Sequence, residues 1–155
     1  KTANPLIKFS SDFIIGYPGE KNEDFENTLK LVKEIEYINT FSFIYSPRPG
    51  TPAANLNGIN ENEAKKRLIV FQKLAEKIKM KYRRSLFNKI SLVLFENKMN
   101  NKNVFFGRDE YLNSVVVKSH ENLKGKIKKV KILDGNQNTL YGEVSKKLIE
   151  ENFAA

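Results

Sequence analysis

The first half of the chain predicts one strand–helix–strand unit. Residues 7–17 contain the continuous apolar run Phe13-Ile14-Ile15, which is typical of a strand covered on both faces of a parallel sheet. A helix is predicted to follow, with Asn22 as its N-cap and its end near Tyr37, and residues 41–45 form the next strand. The apolar face of this helix comprises Phe25, Leu29, Val32 and Ile35. A helical crossover implies parallel strands and therefore an α/β layer.

A long amphipathic helix is predicted next. Asn60 and Glu63 have the spacing of a capping box, and the helix is expected to run from there to about Arg83. Its buried stripe is predicted to contain Ala64, Leu68, Phe71, Ala75, Ile78 and Tyr82. The lysines on its other faces are interpreted as a solvated surface.

From residue 89 the pattern changes to short strands separated by turn residues. Five strands are predicted, at residues 90–95, 103–106, 113–117, 126–133 and 140–144. Residues 126–132 mostly alternate lysine with aliphatic side chains, which places lysines on the solvated face. Five short strands favour a small closed antiparallel barrel, because closure removes exposed strand edges. The predicted fold class is therefore α/β followed by all-β.

Charge and composition narrow the function classes. The net charge is +9, with 14 Lys+Arg against 10 Asp+Glu in residues 1–83 and 13 against 8 in residues 84–155. Such a balance favours a polyanionic partner, nucleic acid before membrane. The absence of cysteine excludes disulfides and thiolate metal sites within this chain, and the single histidine, His120, excludes a multi-histidine centre. Since no signal peptide or membrane span is evident, we expect a cytoplasmic protein without a membrane partner.

A proline-rich loop after the second strand carries a single cation. In residues 45–54 (YSPRPGTPAA), Arg48 lies between Pro47 and Pro49, so its backbone is restricted. A stiff loop at the carboxyl end of a strand is where α/β enzymes present groups to anionic ligands. The alternative is a solvated arginine in an exit loop, and the residues alone leave both open.

Two further features of the first half are candidates for ligand contact. Asp12 lies in an otherwise apolar strand, where a carboxylate is costly unless it is hydrogen-bonded or faces a ligand. Residues 16–20 (GYPGE) form a turn into a helix, where backbone N–H groups can meet a ligand. Glu20 is equally suited to starting the helix and to touching a ligand.

Aromatic and basic residues are interleaved in the second half. The aromatic candidates are Phe105, Phe106, Tyr111 and Tyr141, of which at least one of the two phenylalanines must be core. The cations expected to contact a phosphate backbone are Arg108, Lys126, Lys128 and Lys131. No catalytic triad, paired-carboxylate site or phosphate-binding Gly-Lys loop is evident in the sequence, and His120 is interpreted as incidental.

Several motifs together resemble the radical-SAM methylthiotransferases. They are residues 11–20 (SDFIIGYPGE), Glu23-Asp24-Phe25 and the segment from Phe41 to Ala54, which contains the sequence SPRPGTPA. Gly107-Arg108 with Tyr111, and Gly125 before a basic strand, resemble the TRAM domain that follows in those enzymes. The SPRPGTPA loop sequence most resembles that of the bacterial MiaB family, whose members add a 2-methylthio group to isopentenylated adenosine in tRNA anticodon loops. Relatives that modify a ribosomal protein tend to carry acidic residues where Pro47-Arg48-Pro49 stand.

The resemblance implies a domain organisation and a set of sites. Residues 1–83 would contain the last strands of an open six-stranded (β/α) barrel and a connector helix, residues 84–149 a TRAM barrel with an OB-like fold, and residues 150–155 a tail. The S-adenosylmethionine pocket would include Asp12, Ile14, Gly16 and Arg48. The RNA-binding residues would be Arg108, Tyr111, Lys126, Lys128 and Lys131. The implied reaction abstracts hydrogen from the adenine with a radical derived from S-adenosylmethionine, then inserts and methylates sulfur.

The resemblance also implies partners that this chain does not supply. Members bind two 4Fe-4S clusters through cysteines, and this chain has none. Two parallel strands also do not make a stable sheet alone, so we expect N-terminal domains of the same polypeptide to be missing. The chain alone is then expected to be inactive, and the parent to need a donor such as flavodoxin or ferredoxin. The alternatives are a methylthiotransferase acting on threonylcarbamoyl-adenosine tRNA or a ribosomal protein, and a non-catalytic RNA-binding module.

Overall fold

The structure of the chain is a computed structural model that describes residue 4 and residues 6–100 and 103–145. The chain divides into two compact units, Lys1–Lys81 and Tyr82–Ala155. The predicted tail at residues 150–155 lies outside the described residues. The elements in chain order are β1 (Ser10–Ile15), α1 (Asn22–Ile35), β2 (Asn39–Ile44), a short 3-10 helix (Pro52–Asn55), α2 (Glu61–Arg84), β3 (Ile90–Lys98), β4 (Val104–Asp109), β5 (Ser114–Lys118), β6 (Ile127–Gly135) and β7 (Leu140–Val144).

The first unit contains the predicted strand–helix–strand arrangement. β1 and β2 pair in parallel, with Ser10 opposite Asn39 and Ile15 opposite Ile44. One face of this two-stranded sheet is covered, and its core combines residues of β1, α1 and α2: Ile15, Phe25, Leu29, Val32, Phe71 and Ala75. The parallel pair is therefore confirmed. The predicted helix stripes are confirmed in part: Phe25, Leu29, Val32, Ala64, Phe71 and Ala75 are buried, whereas Ile35, Leu68, Ile78 and Tyr82 are partly buried. The prediction that the first strand is covered on both faces is wrong for the described residues, because Ile14 is 51% exposed.

The two helices begin differently from one another. The prediction that Asn22 is the N-cap of α1 is wrong, because Asn22 is the first helical residue and Lys21 is the cap. The backbone N–H of Lys21 donates to Asp24 Oδ2 at 2.8 Å. The N-cap prediction for α2 is confirmed, since Asn60 Oδ1 accepts the backbone N–H groups of Asn62 at 2.9 Å and Glu63 at 3.3 Å. Asn22 does not cap α1 because its side-chain oxygen accepts a hydrogen bond from Arg67 of α2 instead.

The second unit is a closed barrel with the strand order β3-β4-β5-β7-β6. All five predicted strands are present. The prediction of a fully antiparallel barrel is wrong at one pair, because β5 and β7 are parallel. The reason is geometric: the direction of neighbouring strands cannot alternate all the way around a closed ring of five, so at least one pair must be parallel.

The barrel core is made by alternate residues of its strands. The buried cluster is Val93, Phe95, Phe105, Val115, Val117, Leu123, Val130, Ile132 and Leu140. Leu86 and Phe87, which follow α2, pack against it. Gly107 lies opposite Phe95 next to a bulge in β3, where β4 approaches the backbone of β3 closely. Such bulges bend a strand and permit barrel closure.

Candidate functional sites

The uncovered face of the β1–β2 sheet carries two of the residues predicted to contact a cofactor. Asp12 and Ile14 alternate with the inward-facing residues of β1 and are exposed. In the parallel register they stand beside Phe41 and Phe43, which are 57% and 55% exposed. The result is an apolar surface with one carboxylate, which we call the open face. It is chemically suited to a flat, partly apolar ligand.

Gly16, also predicted to contact the cofactor, is enclosed by the helix packed on the sheet. It is buried and has a φ of +77°, and a Cβ there would lie 2.9 Å from the Cβ of Ala64. Its N–H donates to Glu20 Oε2 at 2.8 Å. A glycine is required here by both the positive φ and the close approach of α2. The cofactor role of Gly16 stays a prediction.

Glu20 belongs to a buried network that the sequence did not reveal. Arg67 of α2 is 6% exposed, and its Nη1 donates to Glu20 Oε1 at 2.6 Å. Its Nη2 donates to Asn22 Oδ1 at 2.5 Å, and its Nε pairs with Glu63 Oε1 at 3.2 Å. Burial acts to lower the pKa of Arg67, but the carboxylates of Glu20 and Glu63 outweigh it, so the pKa is raised. The network fastens the turn between β1 and α1 to α2.

Arg48 lies in a turn that is held by its own backbone. Its carbonyl accepts the backbone N–H of Thr51 at 3.2 Å and the hydroxyl of Thr51 at 2.8 Å. Gly50 takes the positive φ, +83°, that this turn requires. The Arg48 side chain is exposed, so it is accessible to a ligand, and its cofactor role stays a prediction.

The four cations predicted to contact RNA are distributed around the barrel. Lys126 and Lys128 share one carboxylate, Glu121 Oε1, at 2.6 and 3.5 Å, and the Lys126 hydrogen bond is the main reason that the pKa of Glu121 is lowered. Lys131 lies between Ile90 and Glu143 in the register of β3, β6 and β7. Arg108 pairs with Glu96 at 3.3 Å. The structure thus does not gather these four cations on one strand face.

Tyr111 lies in a loop organised by a buried carboxylate. Asp109 is 4% exposed, and its Oδ1 accepts the backbone N–H groups of Tyr111 at 2.9 Å and Asn113 at 2.8 Å. Asp109 Oδ2 accepts a hydrogen bond from Nδ2 of Asn113 at 2.8 Å. The Tyr111 ring meets the ring of Tyr82 edge to face, 6.5 Å between centroids. The predicted RNA contact of Tyr111 is not tested by this geometry.

Tyr82 is expected to titrate late. Its pKa is raised to about 12, mainly by burial; the Asn113 hydrogen bond opposes the rise and the Asp109 charge adds to it. An unfolded tyrosine has a pKa of about 10, so ionisation at high pH favours the unfolded state. The contribution of neutral Tyr82 to the free energy of unfolding is therefore complete below that pH and is lost as the pH rises towards 12. Ultraviolet absorbance of phenolate should show a late ionisation step near pH 12 that belongs to Tyr82. That step should be absent in Tyr82→Phe; its persistence in this variant would contradict the assignment.

Within residues 6–100 and 103–145 there is no cluster of three or more His, Asp or Glu side chains suited to a metal ion. No helix in this part of the chain is long and apolar enough to cross a membrane.

Comparison with known proteins identifies relatives along almost the whole chain. The tRNA-2-methylthio-N(6)-dimethylallyladenosine synthase of Pelagibacter ubique (strain HTCC1062) is 46% identical over 142 residues, which cover 92% of this chain and 32% of the relative. The synthase of Wolbachia pipientis wMel is 42% identical over 141 residues, 89% of this chain and 32% of the relative. The synthase of Photorhabdus laumondii subsp. laumondii is 40% identical over 147 residues, which cover 93% of this chain and 31% of the relative.

These matches locate the chain within a longer kind of protein. It spans about a third of the length of the curated relatives and corresponds to their C-terminal part. A scan against protein-family models finds no match. The shared sequence nevertheless covers about nine-tenths of the chain at 40–46% identity, and the chain belongs to the MiaB family.

Proposed function

We propose that the chain is the C-terminal part of a cytoplasmic tRNA methylthiotransferase that adds a 2-methylthio group to N(6)-isopentenyladenosine in an anticodon loop. The observation that carries this proposal is the 46% identity to a protein named as such a synthase, over 92% of the chain. Relatives at 42% and 40% identity carry the same name, which favours tRNA over a ribosomal protein as the substrate.

In this proposal the open face borders the S-adenosylmethionine pocket of a radical-SAM barrel. Ile14, Phe41 and Phe43 offer the apolar contact that an adenine ring needs, and Asp12 beside them could accept hydrogen bonds from its amino group. These exposed residues therefore fit the cofactor. When bound, S-adenosylmethionine would supply the radical and the methyl group, while the chain would position the cofactor. Arg48, at the carboxyl end of β2, would contact an anionic group of the cofactor or the tRNA.

The iron–sulfur clusters do not fit the residues of this chain. Cluster iron is held by thiolates, and the sequence has no cysteine. We therefore assign no step of the reaction to a cluster bound here, and we propose that cluster ligands and electron transfer belong to other parts of the full-length enzyme. The chain alone should form no product.

The barrel is proposed to hold the tRNA as a TRAM domain does. Residues 84–155, which include the barrel, carry the larger excess of positive charge for their length, 13 Lys+Arg against 8 Asp+Glu. Arg108, at 44% side-chain exposure, is accessible to phosphate. Lys131 is on the outer side of β6 and would add a backbone contact. The proposed order of function is then cofactor positioning by the first unit and RNA binding by the second.

A chimera tests the proposed function. This chain should replace the matching third of the Pelagibacter ubique synthase, and the product should be measured by nucleoside mass spectrometry on tRNA that carries N(6)-isopentenyladenosine. We expect 2-methylthio product from the chimera and none from the chain alone. The matched variant is Arg48→Ala in the chimera, which should lower turnover or tRNA affinity.

The outcomes separate the alternatives. A chimera that folds, carries its clusters and binds S-adenosylmethionine but forms no methylthio nucleoside would overturn the assignment. Product formed only on threonylcarbamoyl-adenosine tRNA would move the substrate within the same enzyme class. An unchanged Arg48→Ala chimera would leave the function intact and assign that arginine to a solvated loop.

A further inference from the structure

Two aromatic side chains lie in one row across the outer side of the barrel. The strand registers pair Phe106 of β4 with Val116 of β5, and Val116 with Tyr141 of β7. Phe106 and Val116 are half-buried, and Tyr141 is 43% exposed. Neighbouring residues on these strands point inward to the core, among them Phe105, Val115, Val117 and Leu140. We call Phe106, Val116 and Tyr141 the aromatic row.

Two cations flank the aromatic row. The β4–β5 register pairs Arg108 with Ser114 on one side of the row and Val104 with Lys118 on the other. Both cations are exposed, and the Arg108 guanidinium lies over the Phe106 ring, 5.6 Å from its centroid. Guanidinium planes and aromatic rings both stack on RNA bases. Cations beside a stacking surface suit the phosphates that flank a bound nucleotide.

The outer side of β3 and β6 has a different chemistry. Ile90, Leu92 and Leu94 are each close to half exposed there. In register they stand beside Lys131, Lys129 and Ile127, respectively. These aliphatic side chains provide no π-surface for a base. Of the two faces, the aromatic row is the one that combines rings with flanking cations.

We propose that the aromatic row binds two unpaired RNA nucleotides, one base stacked on Tyr141 and one on the Phe106–Arg108 pair, with Lys118 contacting the backbone. This inference rests on the proposed RNA-binding function of the barrel. Because strands are spaced about 4.8 Å apart, the backbones of β4 and β7, two strands apart, are separated by about 10 Å, and side chains on the convex outer side of a closed barrel diverge further. Stacked bases in a duplex strand are only about 3.4 Å apart. The two bases must therefore be splayed, as they are in a single-stranded loop.

Fluorescence anisotropy with a labelled oligouridine tests this inference. The whole chain should bind an unstructured oligouridine of twelve nucleotides more tightly than a blunt RNA duplex of the same length. Tyr141→Ala and Phe106→Ala should each weaken oligouridine binding by about 5- to 150-fold, the range for loss of one stacked base. Tyr141→Phe should retain the affinity, because the ring remains. The matched control is Leu92→Ala, an exposed apolar residue of β3, which should change little.

The salt dependence distinguishes stacking from backbone contact. The alanine variants of the row should leave the slope of log affinity against log salt unchanged, whereas Lys118→Ala should reduce it by about 0.7. If the wild-type chain binds no RNA, both the proposed function and this inference are overturned. If it binds with a salt-dependent affinity that neither aromatic variant alters, the stacking inference alone is wrong.

A cross-linking measurement keeps the test independent of variant folding. Irradiation of the wild-type complex with 5-iodouridine-substituted RNA should give adducts at Tyr141 or Phe106, identified by peptide mass spectrometry. Adducts found only at residues outside the aromatic row would overturn the assignment even if the alanine variants failed to fold.

Discussion

Replacing Arg67 with alanine is expected to lower the free energy of unfolding of the first unit by about 3–5 kcal/mol, the usual cost of breaking a buried ion pair. The Arg67 and Glu20 side chains are only 7% and 12% exposed, and their closest atoms are 2.6 Å apart. Without the guanidinium, the carboxylate of Glu20 stays buried with no cation beside it, although it still accepts the N–H of Gly16. The Asn22 side chain also loses its donor.

Hydrogen exchange read by peptide mass spectrometry is the appropriate measurement, because a single unfolding curve would mix the two units. Amides of β1 and α1 should lose protection, and those of the barrel strands should not. The matched control is Lys65→Ala, which removes an exposed ion pair with Glu61 at 56% and 76% side-chain exposure; because solvent screens such a pair, its loss should change the stability little. The double variant Arg67→Ala/Glu20→Gln should recover part of the loss. Equal effects of Arg67→Ala and Lys65→Ala would contradict the buried-pair argument.

Gly107→Ala is expected to destabilise the barrel by about 3 kcal/mol, the upper end of the range for overpacking. A Cβ at this position would lie 2.3 Å from the carbonyl oxygen of Leu94 and 2.8 Å from Cγ1 of Val93. A backbone carbonyl in a paired strand cannot move aside as a side chain can. The methyl group must therefore separate β3 from β4 at the point where the barrel bends.

Thermal unfolding with exchange protection of the barrel amides measures this effect. Gly58→Ala is the matched control, since a Cβ there would meet no atom within 4 Å beyond its chain neighbours, and the stability of this variant should be close to that of the wild type. A Gly107→Ala chain with unchanged barrel protection would show that the two strands tolerate a wider spacing.

Local sequence patterns were sufficient for most of the elements. The Phe13–Ile15 run, the apolar periodicity of both helices and the five short strands each report on neighbouring residues only, and all are present in the structure. The cap at Asn60 was predictable for the same reason. The cap at Asn22 was not, because its side chain is taken by Arg67, a residue 45 positions away.

The sequence by itself determined the elements, the basic character and the motifs that relate the chain to the MiaB family, because these depend on residue type and short spacing. Only the tertiary structure decided that Arg67 is buried, that β5 and β7 run parallel, and that Lys126 and Lys128 share Glu121. It also decided that Phe105 is core while Phe106 and Tyr141 share an outer row. Each of these facts depends on strand register and closure, which bring distant residues together and leave no local pattern in the chain.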